Sequence, residues 1–306
     1  MIETKNRNSV PYMRETWKKG LPNVDPRFME YFFGYVYKPE YGYYMMEEDE
    51  VKGSLCCIPH AYMFNGRVLQ ASIISKIAIP NNRQKLDVLD SLMDVVLDRC
   101  DHQELLTLLE PEDTTINYSK YGFEGLYERI QYTLRREDIK QSYSNLGCSF
   151  DPSAVDMLKV YVGFIKRFNG FFVRDIEYYT KLKREINARG GKIVAFYNSK
   201  NKIEGYATIL IEGKSARIEE CVYLESTALM KLINAAFQER GLVYLEVSPF
   251  ENLSLVFPEA EKKSVRQIYA RLNNPELFSR LYNTEVRNVH DAFMLSKKPL
   301  NLNEIY

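Results

Sequence analysis

The chain has 306 residues, enough for two domains with separate cores, and its 41 Lys and Arg balance its 41 Asp and Glu. Zero net charge supplies no basic field for nucleic acid or an anionic membrane. No apolar run approaches the roughly 20 residues of a membrane span, and the polar start MIETKNRNSV is not a signal peptide. Cys56, Cys57, Cys100, Cys148 and Cys221, with three scattered histidines, show no metal or redox spacing. Reduced thiols in a cytoplasmic protein are the expectation.

In chain order, RETWKKGLP is followed by RFMEYFFGYVYKPEYGYY, with nine aromatics in eighteen residues. Helical spacing predicts a core helix with Phe28, Tyr31, Phe32 and Tyr35 inward, and Trp17 is read as core too. GYYMMEEDEVKGSLCCIP then reads as strand, charged turn, strand. Cys56, Cys57 and His60 fall around Pro59 at a strand end and receive no role. The apolar ASIISKIAI leads through PNNRQK into a helix with Val88, Leu89, Leu92 and Val96 on one face, followed by a short buried strand ending in Pro111. Strand, short basic loop, helix is the layout of an anion site. Yet there is no glycine between Ala78 and Ile116 to let a phosphate approach the backbone.

A polar, turn-rich stretch, RREDIKQSYSNLGCSFDPS, is a plausible linker. A helix is predicted from Ser153 to about Phe168 with Val155, Leu158, Val162 and Ile165 on its apolar face. The segments beyond this helix repeat the first half. GGKIVAFYNSKNKIEGYATILI answers the first hairpin, with Ile203-Glu204-Gly205 matching Val51-Lys52-Gly53. LMKLINAAFQERGLVYLEVSP, from Leu229, answers LMDVVLDRCDHQELLTLLEP, from Leu92. After Pro258 come a strand-like RQIYARL, a short helix from Pro275 and a last strand-like DAFMLSKKPLNLNEIY. This tail is expected to pack on the second half, being small for an independent domain.

The pieces resemble the GNAT superfamily of acetyltransferases, and within it the tandem, Eis-like (enhanced intracellular survival) branch. AIPNNRQKLDVLDSLM stands where that family has its acetyl-CoA loop. NYSKYGFEG is similar to its Tyr-x-x-x-Gly-Phe segment, with Tyr118, Gly122 and Phe123 in place. FNGFFVRDIEYY with GGKIVAFY is similar to the opening of the second, cofactor-free half. The resemblance covers most of residues 10 to 255. It implies an α/β fold of two tandem GNAT-like domains, mixed sheets flanked by helices, plus a short C-terminal α+β tail. The expected boundaries are 1–135, 151–255 and 256–306, the last resembling a shortened sterol-carrier-like domain.

The resemblance also implies chemistry: transfer of an acetyl group from acetyl-CoA to a small amine or amino-terminal acceptor. It assigns the cofactor to Ile77, Ile79, Asn82, Arg83, Gln84 and Lys85, the general acid to Tyr118, and the general base to the C-terminal carboxylate of Tyr306. It assigns part of the acceptor pocket to the aromatic segment, and tandem relatives make a homo-oligomer a possible assembly. The sequence departs from the family at the loop, where Gln84 and Leu86 replace small residues and leave Arg83 and Lys85 as the charges for phosphate. Asp87, Asp90, Asp94 and Asp98 form an acidic stripe starting in the helix's first turn. If Asp87 replaces the diphosphate charge, its carboxylate should reach the first-turn amides. Two readings stay open: an N-acetyltransferase with a weakened coenzyme site, and a non-catalytic GNAT-fold protein serving ligand binding or assembly.

Overall fold

Tight turns set the register of both hairpin systems. Glu48 and Asp49 lie in the left-handed region (φ 50° and 61°), as do Asn65 and Gly66 (φ 45° and 76°), the conformation that two-residue hairpin turns demand. The computed structural model describes residues 2–4, 9–81, 84–139 and 144–304. The chain forms two compact units: residues 1–127 with 267–297 and 304–306, and residues 128–266 with 298–303.

In the first unit the elements are β1 (Ile2–Thr4), α1 (Val10–Gly20), α2 (Pro26–Tyr31), β2 (Gly42–Glu47), β3 (Glu50–Phe64), β4 (Arg67–Ala78), α3 (Lys85–Gln103) and β5 (Leu106–Leu109). β1 to β4 pair antiparallel in sequence order, and β5 returns parallel to β4 through the α3 crossover. Strand alternation sends Cys56 and Cys57 to opposite faces. Cys57 joins Leu55, Ile74, Val88, Leu92 and Val96 beneath α3. Cys56 joins Trp17, Phe32, Phe33 and Tyr44 beneath α1 and α2.

After β6 (Glu124–Arg135) the second unit runs through β7 (Cys148–Ser149), α4 (Ala154–Phe164), β8 (Phe171–Phe172), α5 (Ile176–Ala188), β9 (Lys192–Tyr197), β10 (Ile203–Glu212), β11 (Ser215–Tyr223), α6 (Ser226–Glu239) and β12 (Leu242–Val247). β9, β10 and β11 are antiparallel and β12 is parallel to β11, with α6 as the crossover. The repeat read from the sequence is therefore a repeat of topology: β2-β3-β4-α3-β5 and β9-β10-β11-α6-β12 share strand order and direction. The fold is α/β, with mixed β-structure flanked by helices in each unit, and a tail that completes it: β13 (Glu261–Leu272), α7 (Pro275–Tyr282) and α8 (Val289–Met294).

The strand beside each repeat comes from elsewhere in the chain. β5 is flanked by β13, through Tyr269 to Leu272, while β12 is flanked by β6, through Ile130 to Arg135. The two repeats have exchanged these strands.

Several expectations need correction. The tail does not pack on the second half alone, since residues 267–297 belong to the first unit. Its last segment holds the helix α8 where a strand was read; Asn288 caps it by accepting from Asp291 N at 2.8 Å. α4 buries Met157, Val160, Tyr161 and Phe164 and leaves Val155 and Val162 exposed, while Ile165 is buried and Leu158 packs against the core as read. In the aromatic segment Phe28, Tyr31 and Phe32 are buried as read, but Tyr35 is 63 % exposed, because the helix loosens into a π turn over Phe32–Val36. Pro59 and His60 sit inside the long β3 rather than at its end. β2 pairs with β3 no further than Cys56, short of Pro59.

Candidate functional site

β4 and β5 pair in parallel only from Ala71–Leu106 to Ile74–Leu109, after which Glu110 N still donates to Ile74 O. Beyond that point β4 carries a bulge. Lys76 adopts φ 54°, and the backbone amides of Lys76 and Ile77 face the widening gap. Glu112 fills it: its carboxylate oxygens accept from Lys76 N at 2.6 Å and from Ile77 N at 2.9 Å. Lys76 Nζ stands 3.6 Å from the same carboxylate. Burial pushes the Glu112 carboxyl above its ordinary value, while the Lys76 charge and the two amides pull against that shift. The two amides each hold one oxygen of the carboxylate, and adjacent backbone donors of this kind can hold an acyl or amide oxygen.

The next residue, Asp113, accepts from Lys85 Nζ at 2.5 Å and from Thr115 N and Oγ1. These bonds, the lysine's first, hold its carboxyl at about 2. Tyr118 follows at the start of a 3-10 turn, Tyr118–Tyr121, which Asn117 caps and Gly122 closes in the left-handed region (φ 83°). That glycine is required there, since L side chains rarely adopt the conformation. Tyr118 is 2 % exposed, and among the described residues its hydroxyl has no hydrogen-bond partner. Burial first, then the charges of Glu112 and Asp113, push its phenol well above the usual range.

These positions decide where the sequence-predicted residues stand. Ile77 contributes to the site through its amide, its side chain being core. Ile79 is core as well, and α1 covers its amide: a Cβ on Gly20 would stand 2.6 Å from Ile79 N. Lys85 is in the site but neutralised by Asp113. Gln84 is the N-terminal flanking residue of α3 and makes no side-chain cap. Asn82, Arg83 and Tyr306 lie outside the described residues. Asp87 is exposed in the first turn and caps nothing among the described residues, contrary to expectation. Asp90 is not free either: it accepts from Lys120 Nζ and Tyr121 OH and so ties the Tyr118 turn to α3.

Glu112 and Asp113 were missed by sequence reasoning. The available signal was the acidic run EPEDTT directly after the buried strand that ends at Leu109. In the second unit the equivalent gap lies past Ile218 and Leu245, the last parallel pair of β11 and β12. It too is closed by a side chain, with the opposite polarity. Arg129, 2 % exposed, donates from Nη2 to Glu219 O and to Glu246 O, both at 2.8 Å. The guanidinium thus spans both strands through their carbonyls, where the first unit has amides facing a carboxylate.

Residues 2–126 match the family model described as an acetyltransferase (GNAT) domain. Likeness of fold extends over most of the chain. A protein from Enterococcus faecalis described as a probable N-acyltransferase superposes with a TM-score of 0.71 at 17 % identity, covering 89 % of this chain and 72 % of that one. Eis1 from Mycobacterium abscessus gives 0.66 at 10 % identity, with 92 % and 75 % covered. N-myristoyltransferase from Saccharomyces cerevisiae, solved with bound myristoyl-CoA and inhibitors, gives 0.58 at 9 % identity, with 89 % and 80 % covered. No curated protein matches the sequence. The fold is thus the GNAT fold in tandem, and the residues that match the acetyltransferase domain model lie within the first unit.

Proposed function

We propose that the first unit is an N-acetyltransferase module of the Eis-like kind, cytoplasmic and acting on a small amine or amino terminus, whose coenzyme site is held shut by its own Glu112. The observation that carries this reading is the pair of adjacent amides at Lys76 and Ile77, each satisfied by one oxygen of a carboxylate just past β5. The residues suit a coenzyme thioester only when Glu112 swings away. Acetyl-CoA, when bound, supplies the acyl thioester; the protein supplies the rest. The freed amides would hold an acyl oxygen where Glu112 now lies, and Lys85, released from Asp113, would offer its charge to phosphate. Tyr118 keeps its proton at the phenol oxygen throughout the neutral range, the state a general acid needs. The Tyr306 carboxylate is the proposed base.

A second reading has its own support. Both anions, Glu112 and Asp113, sit where an anionic coenzyme would approach, and that repulsion favours a non-catalytic GNAT-fold protein. Titration calorimetry with acetyl-CoA separates the two. The native chain should bind weakly, and Glu112→Ala, which frees both amides and removes one charge, should bind at least about 10-fold more tightly, a change of about 1.4 kcal/mol. If a folded double variant, Glu112→Ala with Asp113→Asn, binds no coenzyme at millimolar concentration, the non-catalytic reading stands.

A further inference from the structure

Beneath α3, away from the acyl site, a second polar cluster is buried in the apolar core. Cys57 on β3 and Cys100 on α3 bring their sulfurs to 3.9 Å, and both side chains are essentially inaccessible. Arg99 caps them: its Nη2 lies 2.9 Å from Cys57 Sγ and 3.4 Å from Cys100 Sγ, and also reaches Ser72 Oγ at 3.2 Å. The same nitrogen stands 3.2 Å from Glu104 Oε1, which accepts from Ser72 Oγ at 2.6 Å. Glu104 answers the guanidinium charge, and the sulfurs, weak acceptors as neutral thiols, would be stronger ones as a thiolate.

We propose that Cys57 and Cys100 are a peroxide-sensitive dithiol, joined on oxidation by a disulfide that ties β3 to α3. Cys100 is the attacking sulfur, since the hydrogen bond from Cys57 draws its thiol below the ordinary value while burial drives Cys57 up. The Cys100 thiolate attacks one oxygen of hydrogen peroxide, the O–O bond breaks, and the hydroxide released takes up the Cys100 proton as water. The Cys57 sulfur then attacks the sulfenic sulfur; the S–O bond breaks and the departing hydroxide leaves with the Cys57 proton as a second water. Two thiols and one peroxide give one disulfide and two waters.

The geometry favours this couple over the other cysteines. A disulfide needs its sulfurs at about 2 Å, so closure asks each side chain to move by about 1 Å. Cys56 points into the opposite core and cannot reach. Arg99, 20 % exposed, is where the cluster comes nearest to solvent. The proposal is independent of the acyl-transfer reading.

The test is peptide mapping of the intact, folded chain after brief treatment with hydrogen peroxide, with free thiols alkylated before reduction. The expected product is one cross-linked peptide pair about 2 Da lighter than the sum of its parts, the link assigned by fragmentation to Cys57 and Cys100 and reversed by dithiothreitol. Its formation should raise the thermal midpoint, a rise absent in Cys57→Ser. That variant should instead accumulate a dimedone-reactive sulfenic acid on Cys100. The proposal is overturned if Cys57 and Cys100 stay fully alkylatable once the partly exposed Cys148 is oxidised, or if the link forms only in denaturant. The native map alone decides the matter should Cys57→Ser fail to fold.

Discussion

A buried hydroxyl without a partner is expensive, and Tyr118 has one among the described residues. Desolvating a phenol O–H without returning a hydrogen bond costs about 1–3 kcal/mol, whereas replacing it with an apolar group of the same shape is close to neutral. The ring itself is well held, with Tyr121 and Tyr269 centroids 6.3 and 6.1 Å away. Tyr118→Phe should therefore leave stability unchanged or raise it by up to about 1 kcal/mol, measured by urea denaturation. Acetyl transfer measured in the Glu112→Ala background should fall about 100-fold, the low end for losing a general acid. A residue kept for packing would show neither the spare hydroxyl nor the split between stability and rate. A loss of more than about 1 kcal/mol in Tyr118→Phe would reveal a hidden partner for the oxygen and remove the reason to single it out. This side chain was legible in the sequence because its neighbours Gly122 and Phe123 form a local motif. Glu112 was not, because its significance depends on amides 35 and 36 positions earlier in the chain.

At the scale of elements, the two repeats are joined in kind by their glycines. Gly53 lies beside a bulge in β3, and a Cβ there would stand 2.8 Å from Val88 Cγ1 and 2.9 Å from Ile79 Cγ1. Gly205 lies beside the matching bulge in β10, where a Cβ would stand 3.0 Å from Leu232 Cδ1 and from Val222 O and 3.2 Å from Ala228 Cβ. In both units the missing side chain is what lets the crossover helix lie down on the sheet. Gly→Ala ordinarily stabilises by about 0.4–1 kcal/mol where the backbone permits it. Here the sign should reverse: Gly53→Ala and Gly205→Ala should each cost about 1–3 kcal/mol through overpacking, at an unchanged denaturant slope. A gain in either would mean that the helix rides higher than the contacts indicate. The paired triplets Val51-Lys52-Gly53 and Ile203-Glu204-Gly205 made this repeat readable, since each element's turn, period and glycine lie within a few residues. The inward face of α4 was readable only in part, because Val155 and Val162 offer the same period as Met157, Val160 and Phe164. Only the neighbours choose between two apolar stripes.

The exchange of strands sets what the whole chain needs in order to fold. Strand character in RQIYARL is local and was visible, but a strand's partner is not written in its own residues. Sheet geometry assigns it: β5 is four residues long and buried along its length, and without a second neighbour it would leave a row of backbone groups unpaired inside the first unit. β13 supplies that neighbour, and the residues after it lock the end of α3. Asn273 donates from its backbone N to Leu105 O at 3.0 Å, and from Nδ2 to Cys100 O, Glu104 O and Thr107 Oγ1. Arg271 pairs with Asp101 through both guanidinium nitrogens and donates to Tyr121 O at 3.1 Å. The tail thus caps the carbonyls at the C-terminus of α3 and holds the turn that carries Tyr118. A chain stopped after residue 260 keeps every element of both repeats yet loses the strand that pairs with β5. Amide hydrogen exchange on that truncated chain should show protection lost across Leu106–Leu109 and the last turn of α3, while β10 and β11 stay protected. Arg271→Ala in the full chain should give a weaker version of the same pattern, confined to the α3 terminus and the Tyr118 turn. If the truncated chain protects β5 as well as the full one does, the strand from the tail is an ornament on a finished domain. The first repeat would then be able to fold from residues 1–127 alone.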